Sequence, residues 1–148
     1  MASGILAQLA GEWRGDETIA TTRWGQGGDA TAHVTSVLQL NGRLLVQDYR
    51  EEREGKTALL VHAVFVAEPD HDQYSLYWFD SYGFVPGTPA PGVWDGERLT
   101  FVRSSPRGQT RHIYAFDGDD TVTLRLESSF DGGVKWEPVM SGRYVRVK

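Results

Sequence analysis

Apolar and polar residues alternate with a period of two late in the chain: Val122, Leu124, Leu126 and Phe130 share one phase, and Thr123, Arg125 and Glu127 take the other. That period sorts side chains onto the two faces of a β-strand, one toward a core and one toward water. An earlier run is apolar in both phases: Leu59, Val61, Ala63 and Phe65 oppose Leu60, His62, Val64 and Val66. A strand of that kind needs cover outside as well as inside. A docked helix or a second copy of the chain would supply it, so a homodimer is among the expected assemblies.

Five two-residue turn signals separate the β-rich runs: Asn41-Gly42, Glu54-Gly55, Asp95-Gly96, Asp117-Gly118 and Asp131-Gly132. Glycine accepts the positive φ of a tight hairpin, and Asn or Asp tolerates it. The cadence predicts strands over 12–20, 30–40, 43–52, 56–68, 73–82, 92–94, 97–104, 107–116, 121–130 and 134–147. Before them, Ser3 is placed to cap a short helix with Ile5, Leu6 and Leu9 on one face and Gly11 at its end. A helix so short must dock to persist. Residues 84–91 hold Pro86, Pro89 and Pro91, and the expectation is a loop over a barrel mouth, since proline donates no ladder hydrogen bond. The expected fold is all-β: a single up-and-down antiparallel barrel of about ten strands with a short N-terminal helix, spanning 1–148 as one domain.

Composition narrows the partners. Hydrophobic residues are 40% of 148, which suits one core that is partly polar or partly hollow. A net charge of −5 argues against nucleic acid, which needs a dense basic patch. With no cysteine, disulfides, thiolate metal sites and cysteine nucleophiles are excluded. The longest apolar run, 58–67, is broken by His62 and too short to cross a bilayer, so no membrane partner is expected. Residues 1–10 lack the basic start of a signal peptide, and the expected location is cytoplasmic.

The segment Gly11-Glu12-Trp13-Arg14-Gly15, after a short helix, resembles the opening of calycin-like barrels such as lipocalins and the haem protein nitrobindin. The chain is more similar to an uncharacterised bacterial family of lipocalin-like barrels. That similarity rests on the segments Asn41-Gly42-Arg43-Leu44-Leu45-Val46-Gln47-Asp48-Tyr49 and Tyr77-Trp78-Phe79-Asp80-Ser81, the hairpin Asp95-Gly96-Glu97-Arg98-Leu99-Thr100-Phe101, and the closing Arg143-Tyr144. The resemblance implies a barrel plugged at one end by Trp13. It also implies an arginine of the last strand stacked on that ring, as in lipocalins, with Arg143 and Arg146 the candidates. Nitrobindin holds haem through a histidine on a late strand, which makes His112 the positional analogue here.

The residues themselves offer several candidate anchors. Period two puts Tyr74, Leu76, Trp78, Asp80 and Tyr82 on one face. A carboxylate between aromatics near a mouth is the best polar-in-apolar constellation of the chain, and burial would raise its pKa. The other reading has Asp80 pointing out and bonding loop amides. His62 sits mid-strand among apolar residues, as an inward anchor or a core histidine satisfied by protein. Tyr49 and Asp48 take opposite faces, so only one meets a cavity. Arg111 would grip a carboxylate if it pointed inward, while a basic hairpin of Arg103, Arg107 and Arg111 reads more simply as solvated. His33 reads as half-buried strand, and His71, between Asp70 and Asp72, as an exposed turn, so no metal site is expected.

These positions lead to a binding protein for a small, mostly apolar molecule, held by Trp78, Asp80, Tyr82, His62, Tyr49, Arg111 and His112. Three alternatives stay open. One is an enzyme acting on a hydrophobic acid or lactone through Asp80 or His62. Another is haem binding at His112, and the last a filled barrel that binds nothing. No catalytic set is assigned.

Overall fold

The computed structural model describes residues 4–69, 73–83 and 85–148. The strands alternate direction and close into one antiparallel barrel, in the order β1-β10-β9-β8-β7-β6-β5-β4-β3-β2. They are β1 (Gly11–Ile19), β2 (Gly28–Gln39), β3 (Leu44–Arg53), β4 (Lys56–Ala67), β5 (Gln73–Asp80), β6 (Ala90–Trp94), β7 (Arg98–Ser105), β8 (Gly108–Asp117), β9 (Thr121–Ser129) and β10 (Glu137–Arg146), preceded by helix α1 (Gly4–Leu9). The turn chemistry works as expected. At Glu54-Gly55 both residues carry positive φ, 53° and 77°, the mirror-image turn whose twist matches paired strands. Asp95 and Asp131 fold their own loops by accepting backbone N–H groups, Asp95 from Glu97 and Arg98, Asp131 from Val134 and Lys135.

The proline-rich loop is shorter than expected, because Ala90 and Pro91 begin β6. Pro91 pairs with Ser75 of β5, whereas the β7 register starts only at Gly92. The missing N–H therefore leaves no β7 ladder bond unmade. Phe84, Ser3 and His71 lie outside the described residues.

Closure gives the barrel two ends. At one, the helix lies across the opening: Leu6 and Leu9 are buried, and α1 packs against β2 and β3. It does not cover the outer face of β4, where Leu60 stays half exposed beside Tyr77 and Phe79 of β5. Trp13 plugs this end, donating its indole N–H to the Leu9 carbonyl at 2.9 Å. The arginine stacked on it is Arg146, with its guanidinium carbon 4.3 Å from the ring centre. Arg143 is not the stacking residue. Period two turns it outward, where it faces Asp117 at 3.7 Å. Leu45, Phe65, Leu76, Leu99, Phe101 and Tyr114 pack the interior between this plug and the opposite end, which no helix of the described residues crosses and which is called the open end.

Candidate functional site

Inward positions near the open end are polar, and they form two groups. The first stands on β5, β7 and β8. Leu99, Phe101 and Arg103 alternate inward along β7, so Arg103 enters the interior as the last of an apolar series. Its guanidinium carbon lies 4.7 Å from the centre of the Trp78 ring. Its Nε donates to Nε2 of His112 at 2.7 Å. His112 is fully buried, edge-on to Trp78. Burial first, and then the Arg103 charge, hold its pKa well below the usual imidazole range, so the ring is neutral. Because Nε2 accepts from Arg103, the ring proton sits on Nδ1, and that buried donor has no partner. Arg103 makes no ion pair among the described residues. Asp80, near enough to act on it only through its charge, spends its oxygens on the Trp78 indole N–H at 2.9 Å and the Tyr82 backbone N–H at 3.0 Å.

The second group stands on β1, β3 and β10. Trp13, Gly15 and Glu17 alternate inward along β1. A side chain at Gly15 or Gly142 would collide with the Tyr144 ring, so these two glycines make the seat that lets Tyr144 lie across the wall. Its hydroxyl reaches Oε2 of Glu17 at 2.5 Å, and the Tyr49 hydroxyl reaches the same oxygen at 2.6 Å. Tyr49 also lies 3.1 Å from Oε1 of Glu51. Glu17 and Glu51 are both buried, and neither has a cationic partner among the described residues. Burial pushes the Glu17 carboxyl up to about 7, with Glu51 adding to the rise and the two phenol hydrogen bonds opposing it. Its Oε1 accepts from no donor among the described residues. Burial also raises both tyrosines, which stay protonated donors. Tyr82 at the rim links the groups, its pKa raised by burial and then by the charges of Glu51 and Asp80.

The structure brings together four of the expected anchors, Trp78, Asp80, Tyr49 and His112, on inward positions. Tyr82 stands at the rim, 67% exposed. Two expectations fail on strand phase. His62 points outward, where it meets Asp48 at 2.7 Å, because Val61, Ala63 and Phe65 take the inward phase of β4. Arg111 also points outward, paired with Glu127 and stacked on Trp136 at 4.1 Å, while its neighbours His112 and Tyr114 face in. Arg103, expected in a solvated hairpin, is inward instead. Glu17, Glu51 and Tyr144 were not singled out from sequence. The signal for Glu17 was its step of two from Trp13 and Gly15, and for Tyr144 its place in the same end motif.

A void of about 30 Å³ lies between the plug and the polar groups, lined by Trp13, Val34, Gln47, Tyr49, Tyr114 and Tyr144 among others. That is room for one water. A larger concavity of about 450 Å³ lies outside, over β8, β9 and β10, between Arg98, Arg125 and Arg143. His112 is enclosed, and its Nε2 accepts from Arg103. Among the described residues, no three His, Asp or Glu side chains converge as metal ligands. No helix of the described residues is long and apolar enough to cross a membrane.

A family profile of proteins of unknown function, DUF1579, matches residues 3–146. The chain belongs to the DUF1579 family. No curated protein matches it in sequence. Among solved structures, the DUF1579 chain is similar to Rv2717c from M. tuberculosis, with TM-score 0.77 and 14% identity over 99% of this chain and 98% of that one. It is also similar to the S-type phycobiliprotein lyase CPES from Guillardia theta, with TM-score 0.68 and 9% identity over 97% of this chain and 91% of that one. At such identities the likeness establishes the shared barrel fold and no more.

Proposed function

We propose that this barrel binds a small, mostly apolar molecule at its open end, and that the molecule sets a hydrogen-bond acceptor, a carboxylate or carbonyl, against Arg103. One observation carries the reading. Arg103 is an inward cation with no carboxylate paired to it, held in place by Trp78 and by a neutral His112. A largely buried charge is normally paired, so a guanidinium that among the described residues donates only through Nε suits an acceptor brought by a ligand. Nδ1–H of His112 is a second donor in the same wall.

The packed base leaves the open end as the place for the ligand. Exposed apolar side chains stand on the loops there: Trp24, Tyr82, Val85, Phe130 and Val134. They suit an entrance for an apolar body, and the likeness to a phycobiliprotein lyase agrees with small-molecule work on such a barrel. The test is a titration with octanoate followed by tryptophan fluorescence. Saturable binding that weakens by about tenfold in Arg103→Met supports the reading. No binding, or equal binding by the variant, sinks it.

A further inference from the structure

We propose that Glu17 and Glu51 form an amine-recognition subsite, in which the free oxygen of Glu17 accepts a hydrogen bond from a protonated amine on the ligand. The inference deepens the reading above, and it rests on the open end admitting a ligand at all.

The argument is a count of donors and charges. The two carboxyl groups offer four oxygens, and the protein brings them only the phenol protons of Tyr49 and Tyr144. Tyr49 lies between the carboxyls with a single proton, so it donates to one of them and leaves the other needing a proton of its own. Oε1 of Glu17 receives no donor among the described residues, although the side chain is only 2% exposed, and the Glu51 carboxyl lies within hydrogen-bond reach of Glu17, so a proton shared by the two acids is what an amine would replace. No Lys, Arg or His forms an ion pair with either acid among the described residues. The group is therefore short of donors and short of positive charge. An ammonium supplies both, with three N–H donors and one charge. Two carboxyls and two phenols, with no third carboxylate or imidazole, suit it better than a metal ion.

When no amine is bound, a proton fills part of the deficit, which agrees with a Glu17 carboxyl held near pH 7 by burial and by Glu51. The groups facing it are Tyr144 from β10 and Tyr49 and Glu51 from β3. Tyr82 stands at the rim beyond Glu51. Amine binding should displace that proton. The opposite wall, with Arg103, takes an acceptor, so the two walls together describe an apolar ligand that carries an anionic or carbonyl group and an amine.

Octylamine is the probe, titrated by calorimetry at pH 7 in two buffers of different ionisation enthalpy. The expected result is binding with net proton release, weakened by about tenfold in Glu17→Gln and also weakened in Glu51→Gln. Octanoate binding should not weaken in either variant. Octylamine that does not bind, that binds without releasing a proton, or that binds both variants like the parent overturns the subsite. Failure of octanoate alone, or its indifference to Arg103→Met, overturns only the acceptor reading. Proton release in the parent protein keeps the test decisive if a variant does not fold.

Discussion

Of the arginines that stack on tryptophans in this barrel, Arg146 on Trp13 and Arg103 on Trp78 stand at opposite ends of the interior, and they differ in what else they hold. Arg146 lies over Trp13 and donates to the carbonyls of Ala10, Gln8 and Asp119, so that Nε, Nη1 and Nη2 are all engaged. Arg103 lies over Trp78 at a similar distance and, among the described residues, donates only through Nε, to His112. The stacking is the same, and the satisfaction is not. Gly11 explains part of the difference, since any side chain there would strike the Arg146 guanidinium. The closed end has shaped its backbone around a cation and met its needs. The open end carries a cation without a carboxylate partner, a histidine proton and a carboxylate oxygen that no donor or acceptor among the described residues meets. Buried polar groups are normally satisfied within the protein, and the exceptions gathered at one end are what the proposed ligand would meet.

The largest effect should come from removing the plug. Trp13→Ala loses a buried indole, its hydrogen bond to Leu9 and the platform of Arg146, a cost of about 3–5 kcal/mol. Thermal unfolding followed by circular dichroism should show a melting temperature lower by roughly 10 °C or more. Trp78→Ala, at the half-buried open-end position, should cost clearly less; equal losses would erase the distinction between the ends. Next, Arg146→Met leaves the carbonyls it served without their donors and should cost on the order of 2 kcal/mol, read as a lower urea midpoint. Arg103→Met removes a cation with no paired carboxylate and should leave the midpoint unchanged or raised.

The two open-end walls should respond to pH in opposite senses. Glu17 is raised from 4.5 to about 7, so the native state holds more protons than the unfolded chain between those values. Its contribution is full below pH 4.5 and is lost as pH rises to about 7. Glu17→Gln should abolish that fall in melting temperature. His112 is depressed below 6.5, so its contribution is full above that value and is lost as pH falls. His112→Phe should flatten the acid side of the profile. Parallel pH profiles in the two variants would contradict the opposed walls. The smallest effect belongs to His62→Ala, on the outer face beside Asp48, with a change within about 0.5 kcal/mol and octanoate binding intact.

Much of the architecture was legible without coordinates. Turns are local: Glu54-Gly55 or Asp131-Gly132 needs only its own residues to choose a positive φ, so hairpin positions and strand number followed from the chain. The site was legible only where one phase of a strand was plainly apolar or aromatic. Along β5, Trp78 and Asp80 continued the inward phase of Tyr74 and Leu76. Along β4 both phases were apolar, and His62 was assigned to the wrong one. Arg111 on β8 takes the outward phase beside His112, whereas Arg103 on β7 steps inward from Leu99 and Phe101, and charge alone does not separate the two in the sequence.

The sequence by itself determined the all-β class, the closing cadence of hairpins and the end motif with its tryptophan, because each depends on neighbours within a few positions. Tertiary structure decided which phase faces inward and which arginine stacks on Trp13. It alone showed that Glu17, Tyr49, Glu51 and Tyr144 share one cluster. Those residues come from β1, β3 and β10, and only closure of the sheet, with glycines clearing the space for one ring, brings them within hydrogen-bond reach.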